Sequence, residues 1–287
     1  MKILVTGGTG YIGTAVVREL LGAGHGVTAV VRNAAAGRKA SDAGAIAVIG
    51  DLYDADWLAA ELRVHDGAIH LAEPADGTAA QLNTAVIEAA IAAYADTDKP
   101  FILTGGIWRY GQNGTITETS RADAAEISAW RGPLEEKLLG SGVNASIIEP
   151  GIVYGHGAGI PAMLLQAPRT ADGALTLIGS GDQRWTSVHV DDLADLYVAV
   201  LENAPGGQRY LGVNGHNPTV RELGEAVAGE GKVAGEDEGA SRERLGAKFA
   251  DALLLDQAAS SAKAQKALGW TPTRPTLVEE LAAGYAA

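Results

Sequence analysis

The chain has 287 residues, 47% of them hydrophobic, no cysteine and a formal net charge of −13. Such a length and apolar content can bury one large core, or a core with a lobe beside it. The acidic balance works against a phosphate-backbone partner such as DNA, and the absent thiols exclude disulfides, cysteine-ligated metals and thiolate catalysis. With one Lys before the first apolar run, the N-terminus reads as having no signal peptide, and no run approaches the ~18 apolar residues of a membrane span. A cytoplasmic protein with neither nucleic-acid nor membrane partner is expected.

Residues 2–5 (Lys-Ile-Leu-Val) read as a first strand that runs into Thr6-Gly7-Gly8-Thr9-Gly10-Tyr11-Ile12-Gly13. Glycines at 7, 10 and 13 between a strand and a helix suit a dinucleotide-binding turn. Gly7 permits the turn, Gly10 lets the backbone approach a pyrophosphate, and Gly13 lets the helix lie on the sheet. Thr9, Tyr11 and Ile12 belong to the same cradle, whose amides point at phosphate. Helical spacing continues through residues 11–23, and a second strand covers 27–31. Its end carries Arg32, with Arg38 and Lys39 in the loop that follows and no acid between Glu19 and Asp42. A carboxylate there would hold the ribose hydroxyl of NAD; a guanidinium suits the 2′-phosphate of NADP(H).

Residues 45–49 form a third strand ending at Asp51 and Leu52. Asp51 either accepts from the adenine amino group or caps the helix over 54–62. A fourth strand over 68–72 brings Leu71 and Ala72 near the cofactor; His70 reads as a core histidine and Glu73 as a crevice acid. Helix 81–94, strand 101–104, helix 127–139 and strand 145–148 complete an alternation that calls for a parallel sheet covered on both faces. Thr104 and Gly105 end the fifth strand, and Pro150 and Gly151 follow the sixth. Further on come a short helix over 160–165, strands at 175–178, 187–190 and 209–213, and a helix over 193–202. Thr219 reads as the cap of a helix over 220–227, residues 229–244 as a mobile polar segment, and two helices finish the chain. The expected class is α/β, a Rossmann doubly wound parallel sheet with a smaller C-terminal substrate lobe. Residues 1–154 make the dinucleotide domain, to which 186–203 return, while 155–185 and 204–287 make the lobe.

In order and spacing, the chain resembles the extended and atypical short-chain dehydrogenases/reductases, the epimerase/dehydratase-like proteins. The pieces are the glycine turn, His70-Leu-Ala72, Asn83, Glu149-Pro-Gly-Ile-Val-Tyr-Gly155, Val188-His-Val-Asp-Asp-Leu-Ala194, and Leu268-Gly-Trp270 with Pro272. The resemblance implies hydride transfer at a nicotinamide, with a Tyr as acid or base, a Lys four residues on, and a Ser or Thr. Aligned on Glu135 and Pro150, this chain has Arg131 at the Lys position and Ile127 at the Tyr position. Gly106 takes the Ser or Thr position, with Thr104 two residues earlier. An NADPH-dependent reductase then draws its proton from Tyr110, Tyr154, His156 or His189, while Arg131 holds the nicotinamide ribose. Alternatively the small-molecule substrate arrives already activated, as an iminium or quinone-like acceptor, or the protein is a non-catalytic NADP(H) sensor. Trp108, Tyr154, His156, Trp185 and Glu73 are expected around the substrate. Nucleotide-sugar epimerisation fits less well, because the phosphate-holding Arg position falls on Trp185, with Arg184 one residue off. His189 with Asp191 reads as a helix cap, so no metal is expected; a homodimer is the assembly considered.

Overall fold

Short aliphatic runs bounded by glycine and acid turns set the element order of the computed structural model, which describes residues 1–285. The first half runs β1 (Lys2–Thr6), α1 (Tyr11–Gly22), β2 (Gly26–Val31), α2 (Ala34–Asp42), β3 (Ile46–Ile49), α3 (Ala55–Arg63), β4 (Gly67–His70), α4 (Ala79–Tyr94) and β5 (Pro100–Thr104). Next come β6 (Asn113–Ile116), α5 (Arg131–Leu139), β7 (Asn144–Pro150), β8 (Ile152–Gly155), β9 (Ala158–Gly159) and α6 (Ala162–Leu165). Then follow β10 (Leu175–Thr176), β11 (Ser187–His189), α7 (Val190–Asn203), β12 (Gln208–Gly212), α8 (Val220–Ala228) and β13 (Val233–Ala234). The chain closes through α9 (Glu238–Leu245), α10 (Ala247–Leu253), β14 (Gln257–Ala259), α11 (Ala262–Leu268) and α12 (Leu277–Ala282).

Seven parallel strands lie in the order β12-β7-β5-β4-β1-β2-β3. The inner strands, buried on both faces, are apolar almost throughout, while edge strand β3 leaves Ile46 and Ile49 exposed. Ile3, Val5 and Val31 pack with Val16 and Leu20 of α1 and with Leu193 and Tyr197 of α7. Leu4, Phe101 and Leu103 face Leu58, Val86 and Tyr94 on the other side. Because all seven strands run the same way, the segments after β1, β4, β5 and β7 emerge on one rim, the usual place for a ligand.

Several expectations need correction. Residues after Arg32 form α2 rather than a loop, because Asn33 Oδ1 accepts from Ala36 N at 3.0 Å and starts the helix. The expected helix over 127–139 is broken into a 3₁₀ turn (Glu126–Ser128) and α5. Pro133 explains the break: its ring would clash with the carbonyl of Ala129 in a continuous helix, and it is tolerated in the first turn of α5. Residues 208–212, assigned to the lobe, are instead the edge strand of the main sheet, where Tyr210 and Leu211 bury against β7. Conversely, β11 pairs with β8 outside that sheet, so of 186–203 only α7 returns, by packing on α1. Within the supposedly mobile 229–244, α9 starts at Asp237, which accepts from Gly239 N at 2.7 Å, and Arg242 ties it to Glu238 and Asp251. Thr219 caps α8 as expected, and Glu222 completes a capping box with it. Residues 286 and 287, the end of the expected lobe, lie outside the described residues.

Candidate active site

The glycine turn is shaped by what cannot fit there. Gly7 has φ +73°, and a Cβ on it would lie 2.6 Å from Ala72 N and Leu71 C, so β1 turns hard against the chain leaving β4. A Cβ on Gly13 would collide with the Gly7 carbonyl oxygen. No side chain caps α1 and no acid sits in its first turn. The amides of Tyr11, Ile12 and Gly13 therefore have no intrahelical acceptor and face the rim with the dipole's positive end. Lys39 Nζ reaches over from α2 to donate to Thr9 O at 2.6 Å, adding positive charge. These features fit a diphosphate. Arg32, just after β2, and Arg38, on α2, are exposed. Asp54, not Asp51, caps α3 by accepting from Trp57 N at 3.0 Å. Asp51 accepts from Tyr53 N at 3.0 Å and stays exposed at the sheet's rim, while Leu52 packs into the core.

At the other end of the crevice, Arg131 bridges two strand ends. Its Nη1 donates to Thr104 O at 3.0 Å, Nη2 pairs with Glu73 Oε1 at 2.9 Å, and the guanidinium stacks on Trp130. Arg131, Glu73 and the turn at Thr104-Gly105 are thus brought together. The Thr104 hydroxyl is not part of this face: it donates to His70 O at 2.8 Å and meets Tyr197 OH at 2.7 Å inside the protein. His70 is a core histidine, 2% exposed, joined to Thr6 Oγ1 at 2.6 Å; burial lowers its pKa to about 3, so it is neutral. Pro150 and Gly151, at the rim end of β7, are buried; a Cβ on Gly151 would lie 2.6 Å from Thr186 O.

Four side chains expected in the crevice are sealed elsewhere. Tyr154 is fully buried, donates to Pro275 O at 2.7 Å and accepts from Asn214 Nδ2 at 3.1 Å. Tyr110 donates to Glu149 Oε2 at 2.6 Å. Burial above all pushes both phenols well up from their ordinary value, which ill suits acid–base work near neutrality. Trp185 donates from its indole to Leu253 O at 2.9 Å within the lobe core, for which its large apolar ring is better suited than a wet cleft. His189 caps α7, accepting from Asp191 N at 3.1 Å. That bond occupies Nδ1, and burial lowers the ring's pKa. Trp108 lies half-buried with its ring edge-on to Phe249, bridging core and lobe. His156 alone stays exposed, with φ +52° and Nε2 at 3.1 Å from Asp191, which also binds Arg18 at 2.5 Å. Its grouping with His189 and Asp191 resembles a metal triad. The cap bond occupies His189 Nδ1 and Arg18 pairs with Asp191 Oδ1, which leaves His189 Nε2 and Asp191 Oδ2 outside those two bonds.

Sequence reasoning missed an ionic cluster behind Arg131. Glu149 of β7, 0% exposed, accepts from Arg209 Nη1 of β12 at 2.8 Å. Glu135 of α5 accepts from the same Nη1 at 2.7 Å and from Arg109 Nη1 at 3.0 Å. Glu136 takes the other ends of both arginines, at 2.9 and 3.0 Å. An acid closing the apolar run Ser146-Ile-Ile-Glu149 was the available signal; its partners come from segments 26–74 residues away, beyond any local pattern.

A family described as NAD(P)H-binding matches residues 7–204. The Schizosaccharomyces pombe uncharacterized protein C2A9.02 is 34% identical over 299 residues, 98% of each chain. Human epimerase family protein SDR39U1 is 28% identical over 70% of this chain and 71% of its own. Its crystal structure with NADPH shares the fold, at TM-score 0.75 and 24% identity over 99% of this chain and 98% of that one. NAD(P)H azoreductase of Xenophilus azovorans is 29% identical over 69% of this chain and 63% of its own. Glycine turn, strand order and these matches together make the chain a member of the NAD(P)H-binding, epimerase-like branch of the atypical short-chain dehydrogenases/reductases.

Proposed function

We propose that this protein is an NADPH-dependent oxidoreductase that reduces a small organic carbonyl, imine or similarly activated substrate without the family's Tyr–Lys pair. Arg131 carries the reading: a cation in the family's Lys position, tied to the end of β5 and to Glu73, supports a role in holding a nicotinamide ribose. When bound, NADPH supplies a hydride from C4 of its nicotinamide. Around it the α1 amides hold the diphosphate, and Arg32, Arg38 and Lys39 offer three cations to a 2′-phosphate. Glu73, with a side chain 43% exposed, faces the crevice and takes the substrate-contacting role. The azoreductase among the relatives supports a reductase, and the NADPH in the human relative's structure supports the cofactor.

Titration calorimetry with NADPH, followed by absorbance of the reduced cofactor against ketones, imines, quinones and enones, tests the proposal. Binding with turnover of any class supports it; binding with none moves the protein to a second reading, an NADP(H) sensor. That second reading is favoured by Ile127 at the Tyr position and by the sealing of Tyr110 and Tyr154. A nucleotide-sugar substrate is disfavoured further by Arg184, whose guanidinium is committed to both oxygens of Asp256 at 2.8 Å.

A further inference from the structure

Reduction of a carbonyl consumes a proton, and Tyr110 and Tyr154 are both buried and bonded elsewhere. The cluster behind Arg131 offers another source. We propose that Glu135, Glu136 and Glu149, with Arg109 and Arg209, hold one exchangeable proton and pass it through the cavity between Glu135 and Arg131 to the reduced product.

Charge balance makes the first half of the case. Three carboxylates meet two guanidiniums, so the fully ionised cluster is one charge negative. The next shell does not cancel this: Lys263 Nζ lies 2.8 Å from Arg209 O, but Glu118 accepts from Leu211 N at 3.2 Å on the same free edge of β12 and offsets it. Glu136 lies largely in solvent, but Glu135 and Glu149 are buried and converge on one nitrogen, Arg209 Nη1, at 2.7 and 2.8 Å, and a proton on one of them relieves their repulsion. Glu149 is the acid that takes it. Burial drives its carboxyl up to about 7, against the opposing pull of Arg209, the Tyr110 hydrogen bond and Arg109, with Glu135 adding to the rise.

Position makes the second half. Glu135 gives Oε2 to both arginines, while its Oε1 lies 3.2 Å from where a side chain on Gly105 would begin, directly under the turn that ends β5. Gly106, Ser128, Arg131, Gly132 and Glu135 line a cavity of about 10 Å³. That is room for one water between polar partners. The stored proton leaves Glu149, crosses by way of Glu135 and this cavity, and adds to the oxygen or nitrogen of the C=O or C=N group. The hydride, with its electron pair, adds to the carbon. Glu149 is left as carboxylate and is reprotonated from bulk water reaching the cluster at Glu136, whose side chain is 62% exposed. Delivery rests on the oxidoreductase reading; storage does not.

Infrared titration of the whole protein reads the stored proton as a carboxylic-acid C=O band. The expected band titrates with a midpoint of about 7 and is missing from Glu149→Gln. Tyr110→Phe, which removes the donor on Oε2, should raise the midpoint, and it carries the assignment if Glu149→Gln does not fold. No such band in the wild type, or one that neither variant alters, overturns the store. Repeating the titration with saturating NADP⁺ and then NADPH tests the path: the cationic ring should give the lower midpoint, and identical midpoints overturn delivery. Failure of both nucleotides to bind by calorimetry sinks the oxidoreductase reading and the delivery step, while the band still decides the store.

Discussion

The two ends of the crevice are built by different means. At the phosphate end, β1 and α1 meet through backbone alone: glycines where Cβ atoms would strike Ala72 or the Gly7 carbonyl, and amides left open by the helix start. At the nicotinamide end, side chains do the work: Arg131 spans Thr104 and Glu73, backed by carboxylates and guanidiniums gathered from α5, β7, β12 and the turn after β5. The first end tolerates little change in its backbone and carries charge only at its margin, through Lys39 on Thr9 O and the exposed Arg32 and Arg38. At the second, Ile127 and Arg131 stand where the family's Tyr and Lys would be, and other charged groups are gathered around the same turn.

Breaking the side-chain end should have the larger effect on stability. Arg209→Ala strands Glu135 and Glu149 inside the protein and should cost about 3–5 kcal/mol, read as a lower denaturant midpoint at unchanged slope. A loss within experimental error would mean that the cluster is open to water. Gly13→Ala attacks the backbone end: overpacking against Gly7 O should cost about 1–3 kcal/mol and abolish measurable NADPH binding. Retained binding there would contradict the proposed seat of the diphosphate. Arg131→Ala should weaken NADPH by roughly ten- to a hundredfold, from about 1.5–3 kcal/mol of charge-assisted contact. Unaltered affinity would leave the bridge to Glu73 a purely structural feature.

The smallest expected effect is a slope with pH. Glu149 has a folded pKa raised from 4.5 to about 7, so its proton binds the folded state more tightly. The stability it contributes is complete below 4.5 and is lost as pH rises through about 7. Thermal melts across that window should fall more steeply in wild type than in Glu149→Gln, and parallel curves would count against a buried proton.

The same contrast governs what could be read from sequence. Glycine spacing, β-branched runs and the helix cap at Thr219 are local, and the glycine turn, six strands of the sheet and α8 were legible from them. The helix at 34–42 was not, because its start signal, a lone Asn33, sits in an alanine-rich stretch with no apolar stripe. β12 reads as a strand from its residues, but nothing local says which sheet it joins. Register against Glu135 singled out Arg131, which the structure places beside Thr104 and Glu73, whereas Tyr154 and Trp185 lie in the lobe core: aromatic character does not distinguish a pocket wall from a lobe core. The ionic cluster was invisible because its partners meet only after folding.

The account depends most on a nicotinamide dinucleotide phosphate seated across both ends. Calorimetric titration of the wild type with NADPH and NADH tests this directly. The account predicts one site binding NADPH at least about tenfold more tightly, with the advantage erased in Arg32→Ala as about 1.5–3 kcal/mol of charge-assisted contact is lost. Equal affinities in the wild type, or no binding of either nucleotide, would contradict it.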